Sequence, residues 1–519
     1  MADDAPSLPT PDPAHSPRRV PLLFLNVIVI AVCGLVYELL AATVGSYLLG
    51  DSVTQFSLVI GIYLSSMGIG AWVSRYLHRG VARAFVEVQL LIALVGGTSA
   101  PVMFFSFGAT ADFSVVLYLE VTIIGALVGL ELPLLMRLLE RDLQFKDLVS
   151  RVLALDYAGA LFASLAFPLI FVPMLGLVRT SFIMGLTNVL VAAWATSLLR
   201  SELRPRTRRG LQLRAAILAV CLLIGAIKAE SLTAIAEERA FKAPILYAES
   251  TGYQRIVITE EHGGFQLHLN GNLQFDSNDE YRYHESLVHP VFAALGRDAQ
   301  RVLIMGGGDG LALREVWRHP SVREVTMVDL DPGMTQLANR FPPLAKLNEG
   351  SLADPRLKIV NEDAFIWVGD HQDERYDIVI VDFPDPNNYA LGKLYTAHFY
   401  GLLKGVVAAD GAVVVQSTSP LFVARSYWII ITTMESAGFI VRPYQVPVPS
   451  FGVWGYALAK KAPFPVPSAT PVALRYLDPA TMAAMFVMPR DMQRVPADVN
   501  RLDNQILVRR YEEEGERWR

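Results

Sequence analysis

The chain has 519 residues, a formal net charge of -5 and a mean hydropathy of +0.36. The acidic balance excludes a nucleic acid held by a basic face. Its two cysteines, Cys33 and Cys221, both lie in apolar runs, which excludes a disulfide framework and a cysteine-based metal site. The mean hides two unlike parts, since 20–235 is dominated by long apolar runs and the residues beyond 240 have a globular composition.

The first residues, 1–19, are polar and Pro-rich and lack a compact cleavable apolar core, so a disordered tail rather than a secretory signal is expected. A bilayer core of about 30 Å needs roughly 20 apolar residues in a helix. Six segments reach that length: 20–43, 54–74, 84–107, 113–136, 152–174 and 178–199. A seventh, 212–231, is weaker, because its charge-free run is only 215–227. These predict an α-helical membrane bundle of six to seven helices over 20–235.

Basic residues set the orientation. Arg18 and Arg19, then Arg75, Arg79 and Arg83, then Arg137, Arg141, Lys146 and Arg151, then the arginines from 200 to 214 occupy alternate loops. The N-terminus and the loop after the sixth span are therefore expected inside. Crossing of the seventh segment would place everything after it outside, and a seventh segment lying in the interface would keep it inside. Four acids, Glu38, Glu120, Glu131 and Asp156, fall within apolar runs. They read either as a site for a cation such as a polyamine or a proton, or, for Glu131 and Asp156, as partners of nearby arginines.

Beyond 240 the pattern changes. Residues 244–275 alternate with period two around Gly263-Gly264 and Asn270-Gly271, predicting a small antiparallel sheet. A helix over 280–295 follows. Strands are then expected at 301–305, 323–329, 357–361, 376–382 and 411–417, with helices at 310–318, 332–341, 363–369 and 393–407. That alternation predicts a doubly wound, Rossmann-like α/β sheet with ligands at the carboxyl ends of its strands.

The strand ends carry the chemistry. The first ends in Gly306-Gly307-Gly308, followed by Asp309. Glycines let backbone approach a nucleotide, and an acid about 20 residues on, here Asp329, suits ribose hydroxyls. Asp331 reads as solvated or as a cap on the helix beginning at Pro332. Asp363 ends the third strand, and Asp382 and Asp385 follow the fourth. Asp309 is unusual in such a turn, because it repels a pyrophosphate or the carboxylate of S-adenosylmethionine. Two unit charges about 4 Å apart interact by about 4 kcal/mol at an effective dielectric near 20. Asp309 also has an N-cap reading on the helix after it. Together with Asp382 and Asp385 it suggests a binder of amines and disfavours a methyltransferase.

The stretches GYQRI, LNGNLQF, DEYRYHESLVHP, VLIMGGGDGLALREVWRHPSV, MVDLDP and VDFPDP, with LYTAHFY after them, resemble the spermidine synthase (polyamine aminopropyltransferase) family over 250–420. CGLVYELLAATVGSYLLGDSVTQFSL and VPSFGVWGYALA are similar to its membrane-embedded branch. The resemblance implies a methyltransferase-like Rossmann fold and transfer of an aminopropyl group from decarboxylated S-adenosylmethionine to putrescine or a related diamine. The products would be spermidine and 5'-methylthioadenosine. It implies Asp382 as proton acceptor with Tyr283 assisting. It implies His284, Asp309 and Asp385 on the polyamine, and Gln254, Gly306, Gly308, Asp329, Asp363 and Ala364 on the nucleoside. The donor is a co-substrate, and neither a resident cofactor nor a metal is called for.

The implied layout is a small β domain at 243–290, a Rossmann-like transferase domain at 291–463 and an extension at 464–519, of which the acidic and basic end reads as a solvated helix without chemistry. Asn387, Asn388 and Tyr389 replace a common Gly-Pro of the family, and Tyr389 is a candidate to stack on adenine. Pro449-Ser450-Phe451-Gly452 replaces a Tyr-Pro-Ser-Gly turn, with Phe451 and Trp454 reading as core packing. Because the donor is made in the cytoplasm, the implied placement is a multi-pass protein of the cell membrane with its catalytic part on the cytoplasmic side. The competing reading is a polyamine sensor or transporter with a transferase-like domain. Self-association is left open.

Overall fold

The structure, a computed structural model, describes residues 19–49, 52–107, 113–140, 144–468 and 472–515. The expected disordered tail lies outside the described residues apart from Arg19, which opens a helix. The chain divides into two compact units, Met1–Lys242 and Ala243–Arg519.

In the first unit, six helical stretches are long and apolar enough to cross a membrane: Pro21–Leu49, Val53–Tyr76, Val81–Phe107, Phe113–Leu139, Lys146–Leu198 and Pro205–Phe241. The fifth joins the two segments expected at 152–174 and 178–199 into 53 residues. A straight helix of that length would run about 80 Å, more than twice a bilayer core. It breaks at Gly176, whose φ of 71° and ψ of 171° lie outside helical space. The weak segment at 212–231 becomes the middle of a continuous 37-residue helix, Pro205–Phe241. Its polar ends are helical too, so the charge-free run understates its length.

Helix Ser52–Val73 packs closely on helix Phe113–Leu139 because glycines remove side chains from the contact. A Cβ on Gly70 would stand 2.0 Å from the Ala126 carbonyl oxygen, and one on Gly129 would stand 2.1 Å from that of Met67. Gly125 sits one turn before Gly129 on the same face, the small-residue spacing that lets two apolar helices meet. Glu131, 1% exposed, accepts from Gln89 Nε2 at 2.6 Å. Of the two readings of Glu131, pairing with an arginine is not seen among the described residues, where an amide supplies the hydrogen bond. Asp156 likewise forms no ion pair among the described residues.

The second unit contains two sheets. The small one is antiparallel in sequence order: β1 (Ile245–Ser250), β2 (Arg255–Glu261), β3 (Gly264–Leu269) and β4 (Asn272–Asp276). The large one uses β5 (Arg301–Gly306), β6 (Glu324–Val328), β7 (Leu357–Val360), β8 (Tyr376–Asp382), β9 (Val407–Gln416), β10 (Ile440–Val448) and β11 (Gly452–Lys460). Its order is β10-β11-β9-β8-β5-β6-β7, with β5 to β9 parallel and β11 and β10 added antiparallel at one edge. The fold is the Rossmann-like α/β sheet with a small antiparallel sheet before it that the sequence pattern indicates.

The apolar strand runs serve two cores. Val302, Ile304, Ile378, Ile380 and Val414 face one, which they share with Ile256, Phe265 and Phe275 of the small sheet and with Leu287 and Val291 of helix Glu280–Leu295. Leu303, Met305, Val379, Val381 and Val415 face the other, with Tyr400, Leu403 and Ile430. Strands covered on both faces read as continuous apolar runs. The strand order reverses between β5 and β8, so a crevice opens where their carboxyl ends diverge.

Replacing Gly129 by Val should force the two helices apart. Overpacking of this kind costs about 1–3 kcal/mol. The expected outcome is a lower melting temperature in detergent, read by thermal unfolding against Gly61→Val, since a Cβ on Gly61 meets nothing within 4 Å.

Candidate active site

The crevice forms where β5 and β8 end side by side, with Gly306 paired to Asp382. Gly306 has φ +82°, and a Cβ there would stand 2.2 Å from the Asp382 carbonyl oxygen. Only glycine permits both. Gly308 donates its N–H to Asp329 Oδ2 at 3.0 Å, and Asp329 Oδ1 accepts from the Asp331 N–H at 3.0 Å. Asp309 turns back to accept from the Leu311 N–H at 2.8 Å, but the N-cap position of helix Leu311–Trp317 is taken by Gly310, so Asp309 stands one residue before the cap it was read as. Over this turn, from helix Glu280–Leu295, Tyr283 reaches down and donates its hydroxyl to Asp382 Oδ1 at 2.6 Å.

The carboxylates are crowded and poorly solvated. Burial pushes Asp382 up to about 6; Asp309 adds to this, while His284 and the Tyr283 hydrogen bond oppose it. Burial also pushes Asp329 up to about 6, against the two backbone N–H groups that stabilise its charge. Asp309 is raised as well, by burial first, with His284 opposing. Burial works against protonation of His284, but Glu280, Asp309 and Asp382 together hold its imidazole above the usual value.

Behind His284 runs a buried chain of ionisable side chains. His284 Nδ1 bonds Glu280 Oε2 at 2.8 Å. Glu280 takes a two-pronged contact from Arg314 at 2.9 and 3.0 Å, and Arg314 Nε bonds Glu315 at 2.8 Å. Glu315 meets His289 Nε2 at 3.0 Å, and His289 meets His319 at 3.0 Å. All of these side chains are at most 7% exposed. The chain fixes the imidazole facing the crevice.

Beside the Tyr283–Asp382 pair stands an aromatic wall. Tyr283 lies 5.5 Å from Tyr456, 6.2 Å from Phe451 and 6.5 Å from Trp454 between ring centroids. Phe451 and Trp454 are half-buried: they pack against the core, as expected, and present their remaining surface to this wall. Trp454 Nε1 donates to Gln416 Oε1 at 3.2 Å, and Gln416 Nε2 contacts the Phe383 carbonyl and, at 3.3 Å, Asp385 Oδ1. Thr418, held at φ +60°, donates to Asp385 Oδ2 at 3.3 Å. Gln416 ends β9, a strand-end position like those of Asp329 and Asp382, but it is no acid and was not singled out. Tyr511 donates to Asp385 Oδ2 at 2.6 Å, from the segment expected to be a solvated helix without chemistry.

Other expected residues have partners the sequence did not reveal. Gln254 Nε2 donates to Asp331 Oδ2 at 2.8 Å. Asp331 does cap helix Pro332–Arg340 through the Gly333 N–H at 2.9 Å, but it is 2% exposed rather than solvated. Asp363 accepts from the Phe365 N–H at 2.9 Å, and its other oxygen pairs with Lys393. Ala364, beside it, is buried. Asn388 caps the short helix Tyr389–Gly392 through the Leu391 N–H at 2.9 Å, leaving Tyr389 exposed.

A strand switch point, a glycine cradle and a carboxylate carrying a tyrosine hydrogen bond define a Rossmann-like enzyme whose crevice favours cationic ligands. The spermine/spermidine synthase domain model matches residues 280–467. A polyamine aminopropyltransferase of Leptospira interrogans is 47% identical over 495 residues, 95% of this chain and 99% of that protein. Polyamine aminopropyltransferase 2 of Ralstonia nicotianae is 49% identical over 500 residues, 95% of this chain and 98% of that one. A crystal structure of spermidine synthase in complex with the transition state analogue AdoDATO superposes on 47% of this chain and 85% of that chain, at 27% identity and a TM-score of 0.44. The chain belongs to the polyamine aminopropyltransferase family, and it is an aminopropyltransferase.

Arg314→Met removes the partner of a buried carboxylate. Breaking such a pair costs about 3–5 kcal/mol. The melting temperature of Arg314→Met should therefore fall sharply, whereas Arg297→Met, which breaks a half-exposed pair with Asp377 and Asp410, should change it little.

Proposed function

We propose that this aminopropyltransferase moves the aminopropyl group of decarboxylated S-adenosylmethionine to putrescine or a related diamine, giving spermidine and 5'-methylthioadenosine. The observation that carries the reading is the Tyr283–Asp382 hydrogen bond beside the Gly306–Asp309 turn. An amine with a pKa near 10 is protonated at neutral pH and cannot attack carbon. Asp382, raised to about 6, is a better proton acceptor than an ordinary aspartate and remains ionised at neutral pH. The freed amine nitrogen forms a bond to the aminopropyl carbon, the bond from that carbon to the sulfonium breaks, and its electron pair leaves sulfur neutral. The proton goes to Asp382 and then to solvent. Tyr283 holds the Asp382 carboxylate in place for the transfer.

In this reading Asp309 and His284 face the polyamine, and Asp385 lies in the same pocket. The turn of Gly306 and Gly308 borders the nucleoside, Asp329 receives the ribose hydroxyls and Gln254 borders the site. Asp363, with Ala364 beside it, receives the adenine amino group, which competes with Lys393 for one oxygen. A donor without its carboxylate suits Asp309; one bearing it is repelled. The aromatic wall of Tyr283, Phe451 and Trp454 fits the alkyl and ammonium parts of a diamine. The six apolar helices support anchoring in a cell membrane, with the transferase unit on the cytoplasmic side where the donor is made.

Purified protein incubated with decarboxylated S-adenosylmethionine and a panel of amines should yield spermidine with putrescine. Formation of methylthioadenosine without an amine product would replace transfer by hydrolysis. Asp382→Asn should lower kcat by about 10²–10⁴-fold, the usual contribution of a general base, while leaving nucleoside binding within a few-fold. The base must be ionised, so kcat/KM should fall as pH drops through about 6. Tyr283→Phe removes a contact that lowers the Asp382 pKa, so its acid limb should move to higher pH. A reporter fused after Arg519 that is active only when exported would overturn the cytoplasmic placement.

A further inference from the structure

The family-domain match ends at residue 467, yet the crevice receives a side chain from 44 residues further on (511 − 467). Tyr511 lies on helix Ile506–Gly515 and contacts Asp385 across 126 residues of sequence. Of the hydrogen bonds made to the Asp385 side chain it is the shortest, at 2.6 Å against 3.3 Å from Gln416 and 3.3 Å from Thr418.

The helix is fastened on three sides, so the contact is built in. Leu507 and Val508 are fully buried, and a Cβ on Gly392 would stand 2.4 Å from Val508 Cγ2. Asn500, just before the helix, bonds the carbonyls of Gly392 at 3.2 Å and Tyr395 at 3.0 Å and accepts from the Leu507 N–H at 3.3 Å. Glu514 accepts from the Arg425 N–H, the Ser426 N–H and the Ser426 hydroxyl at 3.0, 3.0 and 2.8 Å, closing the start of helix Ala424–Ser436.

We propose that Tyr511 is a positioning residue for the amine acceptor, orienting the Asp385 carboxylate that receives the acceptor's ammonium group. The proposal rests on the reading of Asp385 as part of the acceptor pocket. A carboxylate on a loop rotates about its Cβ–Cγ bond, and a short hydrogen bond to one oxygen fixes its plane. Gln416 contacts the other oxygen at 3.3 Å. Burial raises Asp385 towards the neutral acid, and the Tyr511 hydroxyl leads the hydrogen bonds that oppose this. Tyr511 thus keeps the carboxylate both aimed and charged. The terminal helix becomes part of the acceptor site, although it lies beyond the shared domain.

The test uses the full-length enzyme, decarboxylated S-adenosylmethionine and putrescine. Tyr511→Phe keeps the ring and removes the hydroxyl. A hydrogen bond to a charged group is a strong one, so the amine KM should rise about ten-fold, with the donor KM within two-fold and the melting temperature unchanged. The acid limb of kcat/KM for the amine should move to higher pH, since a contact favouring ionised Asp385 is gone. An unchanged amine KM in Tyr511→Phe, with a raised one in Asp385→Asn, would overturn the proposal and leave the reading of Asp385 standing. An unchanged amine KM in both would overturn the two together. A lower melting temperature with both KM values raised alike would make Tyr511 a structural brace and also overturn it.

Discussion

The close approach of Gly306 to Asp382 governs the rest of the crevice. Two parallel strands end side by side there, and no side chain on β5 separates them. The Asp382 carboxylate is therefore drawn into the angle between the glycine turn and helix Glu280–Leu295, half out of water and within reach of Tyr283. Its raised pKa follows from that position. The buried chain from His284 through Glu280 and Arg314 to Glu315 serves the same arrangement from behind. It balances an imidazole next to two carboxylates with two acids and an arginine that are themselves fully partnered. Buried ions persist only where each has such partners.

The backbone plan was legible in the sequence because each of its signals is local. Period-two alternation gave β1 to β4, apolar runs ending in glycine or aspartate gave β5 to β8, and the strand-end rule brought Asp329, Asp382 and the glycine turn to one place. The antiparallel β10 and β11 were less legible, since nothing local marks a strand as an edge addition. Side-chain pairings were the least legible. Lys393 on Asp363, Gln254 on Asp331 and Arg314 on Glu280 each join residues at least 30 apart, and no spacing rule reports such contacts. Tyr511 is the extreme case. Its stretch of alternating charges has the composition of a solvated surface helix, and only the buried Leu507 and Val508 turn it inward.

The helical unit shows the same division. Its lengths and apolar runs were readable, and its contacts were not. Gly70 and Gly129 gain their meaning only when each is seen against the other helix's backbone. The Gln89–Glu131 bond pairs an acid with a neutral amide where arginines seemed available from the loops. A neutral partner avoids bringing a second charge into an apolar bundle.

Two crevice carboxylates, Asp329 and Asp382, are held at about 6. Near neutrality such groups still carry a measurable share of bound hydrogen ions. A cation entering beside them favours the ionised forms and drives that share out into the medium. Occupation of this crevice is therefore coupled to acid release. The heat of association would then vary with the ionisation enthalpy of the buffer chosen, even with every contact to the protein unchanged.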